Sequence, residues 1–277
     1  MTDAGQYSAI TLPVFGYFTA VLFLFLILPL AAVCGFFVGR RRRRLLLEQD
    51  RDIDMVVGET TLGALLALLG LLLAFTFGNA LTQSEARKSA IVREAATLGT
   101  AFQRADYLPE PGRTALQTAL LDYAKTRRVP AGLANTADAV LAFVDTSLRE
   151  QAKLWPLTLD ATAHPVPPPI QTFVAGAVND VLDAHLFRMQ SISTPITEAT
   201  NNMVLAAAVL ALFLLGNRAG MLGRSLTWRT FVLSGSLFVV MMTIIDTQRG
   251  HEGLIRIDDS TLGATIFDMQ QALEGRT

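Results

Sequence analysis

The uncharged apolar run from Val14 to Gly39 ends directly on five consecutive arginines, Arg40, Arg41, Arg42, Arg43 and Arg44. A hydrocarbon core about 30 Å thick is spanned by roughly 20 apolar helical residues, so this run is expected to cross a bilayer. Lys and Arg beside a span resist translocation and hold that end in the cytoplasm. The arginines therefore mark a cytoplasmic end. The preceding segment, Met1 to Pro13, carries Asp3 but none of the basic residues that open a signal peptide, and is expected outside. Nucleic acid is a poor partner for a basic run that abuts a span, whereas contact with anionic lipid is compatible with the topological role and adds to it.

Three further uncharged runs follow, Thr60 to Ser84, Ala199 to Asn217 and Thr230 to Ile245, making four spans the simplest count. The third opens on polar Glu198, Asn201 and Asn202, and the fourth is only about 24 Å long as a helix. The linker between them holds Arg218, Arg224 and Arg229 and no acid, so it too is expected in the cytoplasm. The long segment from Gln83 to about Pro195 and the C-terminal tail then lie outside, together with both termini. In a bacterial cytoplasmic membrane that compartment is the periplasm. A content of 51% hydrophobic and 17% charged residues agrees with an integral membrane protein. The single cysteine, Cys34, sits within the first span and allows neither an intrachain disulfide nor a thiolate metal cluster.

The outer segment reads as helical, since apolar residues recur at three- and four-residue spacing and strand-like alternation is absent. Ala86 to Tyr107 continues the second span without a break, through Ile91, Ala95, Leu98, Ala101, Phe102 and Ala105, which predicts one helix of about 70 Å. Pro109-Glu110-Pro111 stops it. A second outer helix carries Leu116, Leu120, Leu121 and Tyr123 and stops near Val129-Pro130. A third starts near Asn135 or Thr136 and is expected to end at Pro156. Five prolines between Pro156 and Pro169 predict an extended surface loop, and a fourth helix runs from Ile170 to about Ser193. The expected class is an all-α membrane protein, four transmembrane helices with a helical bundle continuous with the second and third spans. The division expected is 1–81, 82–195, 196–247 and 248–277, the last a tail with a short amphipathic stripe of Leu262, Ile266, Met269 and Leu273. That stripe suits an interface, a partner helix or the chain's own bundle.

Candidate functional residues concentrate on the second span. Gly63, Ala67, Gly70, Ala74 and Gly78 share one helix face and form a packing seam, because small side chains let helices approach closely in lipid. If copies of this helix surround an axis, Phe75 or Phe77 forms an apolar constriction and Asn79, Thr82 and Gln83 wet one mouth. Asp246, Arg249, Glu252 and Arg256 would place charge rings at a mouth, or bridge subunits and headgroups. No catalytic, metal-spacing or cofactor motif surrounds His164, His185 or His251, so neither an enzyme nor a cofactor is expected. Asp180, Asp183 and His185 lie close in sequence, yet a helix turns Asp183 and His185 apart. Glu94, beside Arg93, reads as part of a solvated helix face.

The stretch Glu94 to Pro111 following Ala74-Phe75-Thr76-Phe77, the set Asn179, Asp183, His185 and Arg188, and Arg249 with Gly253-Leu254-Ile255-Arg256 together resemble the bacterial bestrophin-like family. The resemblance extends from the second span to the tail. It implies four membrane helices continuous with a helical extramembrane part. Bestrophins are pentameric anion channels with an apolar neck, so it further implies a homo-oligomer, inorganic anions and a pore lined by the second span. The orientation read from the arginines is opposite to that of bestrophins, which keep their large domain in the cytosol, and no acidic calcium-clasp motif is present. The other expectation is a non-conducting envelope sensor or scaffold that binds a ligand or partner through its outer bundle.

Overall fold

Hydrocarbon offers no water to satisfy backbone N–H and C=O groups, so an apolar spanning segment must bond internally as a helix. The computed structural model describes residues 16–50, 56–130, 137–163, 165–193, 198–249 and 258–275. Eight α-helices account for most of them: α1 (Tyr17–Glu48), α2 (Glu59–Arg104), α3 (Gly112–Thr126), α4 (Ala137–Ala161), α5 (Pro168–Ser193), α6 (Glu198–Met221), α7 (Trp228–Arg249) and α8 (Ser260–Glu274), with one 3-10 turn at Ala105–Tyr107. Four of them, α1, α2, α6 and α7, are long and apolar enough to cross a membrane. α2 runs unbroken over 46 residues, about 69 Å, as the sequence predicts. α1 continues past Gly39 through all five arginines to Glu48, so the basic run is helical.

The chain divides into two compact units, one from Phe15–Ser84 and Ile196–Arg256, the other from Glu85–Pro195 and Ile257–Thr277. In the membrane unit the closest crossing joins α1 to α6. Gly35 and Gly39 on α1 and Gly216 and Gly220 on α6 are each four residues apart, the spacing that brings two small residues onto one face. A Cβ on Gly35 would overlap the carbonyl oxygen of Phe213, and one on Gly39 that of Asn217; Gly216 meets the carbonyl of Ala32 and Gly220 that of Phe36. The pairs advance together along both helices, so α1 and α6 run parallel. Leu28, Ala32, Ala208, Ala211 and Leu212 complete the seam and are fully buried. Past its end, α6 closes on Gly223 in the left-handed region (φ 70). The N–H of Gly223 donates to Gly220 and that of Arg224 to Ala219, a glycine stop that satisfies the last carbonyls.

The helical unit packs α3, α4, α5, α8 and the second half of α2 around one apolar core that includes Leu98, Leu116, Leu120, Leu154, Val178 and Leu262. Two expectations from the sequence are corrected here. Pro156 does not end α4, which continues to Ala161, and the expected loop shrinks to a short connection before Pro168. Proline removes one backbone bond from the helix, but Leu154 and Thr158 on either side are fully buried, and the hydroxyls of Thr158 and Thr162 donate to the carbonyls of Leu154 and Thr158 at 2.7 Å. Tertiary burial outweighs the local penalty. Within the connection Val166 is buried, and its carbonyl accepts from Gln171 Nε2 at 2.8 Å. The tail stripe Leu262, Ile266 and Met269 is buried in the chain's own helical core, with Leu273 packed against it. The predicted start of the third outer helix, Asn135 or Thr136, lies outside the described residues.

Gly216→Val drives a branched side chain into the Ala32 carbonyl and is expected to destabilise the membrane unit by about 1–3 kcal/mol. Gly176→Ala, where a Cβ meets open space in mid-helix, is expected to be neutral or stabilising by up to about 1 kcal/mol. Denaturation in micelles measured on both variants checks the contrast.

Candidate functional site

A helix in a bundle shows its role by which arc is covered. On α2, Leu62, Leu69, Leu73, Thr76 and Ala80 are buried and lie on one side. Of the four apolar helices, α2 is the least covered by the rest of the chain. The arc opposite that side holds Leu71 and Phe75, 53% and 65% exposed, with Gly78 and Thr82 above them. Gly63, Ala67, Gly70, Ala74 and Gly78 are all exposed, and a Cβ on any of the three glycines would meet nothing within 4 Å. Among the described residues, then, nothing packs against the three glycines of the small-residue face. Asn79 is exposed on the same helix, Gln83 is half-buried, and the Thr82 hydroxyl turns back to the carbonyl of Gly78 at 3.1 Å. The two phenylalanines part company. Two residues apart on a helix, they point about 160° from each other, and Phe77 packs partly buried against the membrane core.

At the other end of the membrane unit, Asp246 is 3% exposed and Arg249 half-buried. The side-chain amides of Asn201 on α6 and Gln248 on α7 exchange two hydrogen bonds, at 2.8 and 3.2 Å. Glu252 and Arg256 lie outside the described residues, as do His164 and His251.

The helical unit holds a second constellation, which the sequence pattern does not announce. Glu94 on α2, read from sequence as a solvated residue, is fully buried. Its Oε1 accepts from Arg127 Nε at 2.5 Å, and its Oε2 accepts from Arg188 Nη1. Arg127 closes the C-terminal end of α3, one turn after Tyr123, and Arg188 lies three residues after His185 on α5; all four are buried. The Tyr123 hydroxyl and His185 Nδ1 are hydrogen-bonded at 3.2 Å. One carboxylate thus faces two guanidinium groups, and the cluster carries a net positive charge. Burial, and then the charge of Arg127, hold the His185 imidazole down at about 4 from its ordinary 6.5, so it is neutral; burial likewise pushes the Tyr123 hydroxyl upward. Asp180 and Asp183 are exposed on the other side of α5, which keeps them apart from His185. An open cleft lined by Thr100, Gln103, Tyr107 and Phe173 has its one cation engaged: Arg104 lies 4.2 Å over the Phe173 ring and donates to the Phe173 carbonyl at 3.1 Å.

Comparison with known proteins turns on this architecture. No family model and no curated protein matches the sequence. Among solved structures, a single-substitution variant of a bacterial bestrophin homologue from Klebsiella pneumoniae matches with a TM-score of 0.66 at 12% identity, covering 92% of this chain and 99% of that one. A second variant matches at 0.65 and 10%, with the same coverage, and a further structure of the homologue at 0.63 and 12%, covering 91% and 97%. The fold is bestrophin-like.

Within this bestrophin-like fold, the stretches that carried the resemblance are brought together in part. Glu94, His185 and Arg188 meet in the buried cluster, while Asn179 and Asp183 stay on the surface and Gly253 to Arg256 lie outside the described residues. Tyr123 was legible only as an apolar position and Arg127 not at all. The one available signal was their four-residue spacing on α3.

Glu94→Gln leaves two buried guanidinium groups facing each other and is expected to cost about 3–5 kcal/mol. Arg127→Met leaves a balanced Glu94–Arg188 pair and is expected to cost at most about half as much. Thermal unfolding of the two variants in detergent checks that order. Because the His185 pKa is lower in the folded chain, unfolding takes up a proton as pH falls. Stability is fully present above about 6.5 and declines through about 4, by roughly 3 kcal/mol at most. His185→Asn is expected to flatten that acid limb in a pH series of melting temperatures.

Proposed function

We propose that the chain assembles with copies of itself into an ion channel, anion-conducting by analogy with bestrophins, whose pore α2 lines. The observation that carries this is the uncovered arc of α2, apolar at Leu71 and Phe75 and open above Gly63, Gly70 and Gly78. Small residues on one flank let neighbouring copies of α2 approach, and the adjacent Leu71–Phe75 stripe then faces the axis. Phe75 forms the constriction, since Phe77 is engaged by the chain's own core. Asn79, Thr82 and Gln83 follow toward one mouth. Arg40 to Arg44 and the 218–229 linker lie on the cytoplasmic side and the helical unit on the other, in the periplasm of a bacterium.

In liposomes the purified protein is expected to release chloride, and Phe75→Ala to raise the rate several-fold while Phe77→Ala changes it less. Absence of flux from wild type and Phe75→Ala alike would sink the proposal. A monomer or dimer in the membrane would point instead to the non-conducting sensor or scaffold, since at least three copies are needed to enclose an axis. Reporter fusions after Glu48 and Pro130 are expected to report cytoplasm and periplasm respectively; the reverse pattern overturns the orientation.

A further inference from the structure

We infer that the arginine end of the membrane unit is a binding site for the phosphate headgroups of anionic lipid. From Tyr17 to Gly39 α1 is uncharged, about 35 Å of helix, and Arg40 to Arg44 add about 7.5 Å. That is the depth of one headgroup layer, since polar regions widen a ~30 Å core to about 40–45 Å. Successive residues on a helix point about 100° apart, so the five arginines ring α1. Arg43 continues the buried stripe of Leu28, Ala32, Gly35 and Gly39 toward α6, and its guanidinium lies over Gly223. Arg40, Arg41, Arg42 and Arg44 are exposed around the other sides.

The parallel crossing of α1 and α6 brings the turn after α6 level with Arg43. That turn carries Arg224, and α7 begins with Trp228 and Arg229; all three are exposed, Trp228 to 71%. Tryptophan at this depth is an interfacial anchor. Arg218 is engaged by Glu59 at 2.5 Å. The other described acids at this end, Glu48 and Asp50, come a turn or more beyond Arg44, farther from the hydrocarbon. A guanidinium fork matches two phosphate oxygens at once. The lipid source follows from what flanks the ring on its membrane side: Phe37 and Val38 are 60% and 49% exposed, a surface for acyl chains beneath the headgroup.

Trp228 also supplies the reporter, because the chain has two tryptophans and Trp155→Phe leaves it alone. The full chain is placed in phosphatidylcholine vesicles with trace dansyl-phosphatidylglycerol or dansyl-phosphatidylcholine, and energy transfer from Trp228 reads the local enrichment of each probe. The anionic probe is expected to be enriched at least about five-fold over the zwitterionic one, the factor for a single effective arginine, and less so as salt is raised. Arg40→Gln/Arg41→Gln/Arg44→Gln is expected to bring the ratio toward one. Arg224→Gln/Arg229→Gln, which leaves the Arg40 to Arg44 topology signal intact, is expected to lower it several-fold. Equal transfer from both probes, or enrichment that neither variant reduces, overturns the assignment. Displacement of the anionic probe by millimolar inorganic phosphate also overturns it, in favour of a soluble phosphate site.

Discussion

The contact between the backbones of α1 and α6 is the constraint on which the membrane unit depends. Apolar side chains gain little by leaving lipid for another helix, so association rests on close packing, and the two glycine pairs allow it by removing the side chains that would intervene. Its parallel sense places the arginine end of α1 and the arginine linker after α6 at one level. α7 joins through Leu237, Met241 and Ile244. α2 meets this core with Leu69, Leu73 and Ala80, with Phe77 partly buried beside them, and leaves the Leu71–Phe75 arc exposed. The glycines that lock the unit are therefore Gly35, Gly39, Gly216 and Gly220, whereas Gly63, Gly70 and Gly78 stay open.

The helical unit solves a different problem. Within its largely apolar core one carboxylate reaches two arginines from two other helices, with a tyrosine–histidine pair beside them. Taking these charges out of water is costly, and the short ion pairs offset that cost only while all three helices hold their register. Glu94 on α2, Arg127 on α3 and Arg188 on α5 thus tie the long helix to its neighbours at one fixed point. The neutral state of His185 follows from the same surroundings, since a third cation there would meet both burial and Arg127.

Much of the fold was legible because the physical rules are local. The four spans follow from uncharged length, the length of α2 from unbroken periodicity up to Pro109 and Pro111, and the helices at Gly112 and Pro168 from apolar spacing. Pro156 misled because local proline chemistry argues for a stop, while burial of Leu154 and Thr158, contributed by other elements, keeps the helix going. Glu94 misled because a carboxylate beside Arg93 gives no sign of arginines 33 and 94 residues away. The five-residue pattern of α2 is the more prominent in the sequence, whereas the two shorter glycine pairs make the close contact between α1 and α6.

By itself the sequence determined that the chain is a helical membrane protein with four segments long and apolar enough to span, because hydrophobic length acts on each segment alone. It could not determine which helix faces meet. Whether Gly35 meets Phe213, whether α8 turns to its own core, and whether Phe75 or Phe77 stays uncovered depend on pairings between distant segments. Packing in three dimensions decides these, since it excludes some faces by overlap and leaves others open.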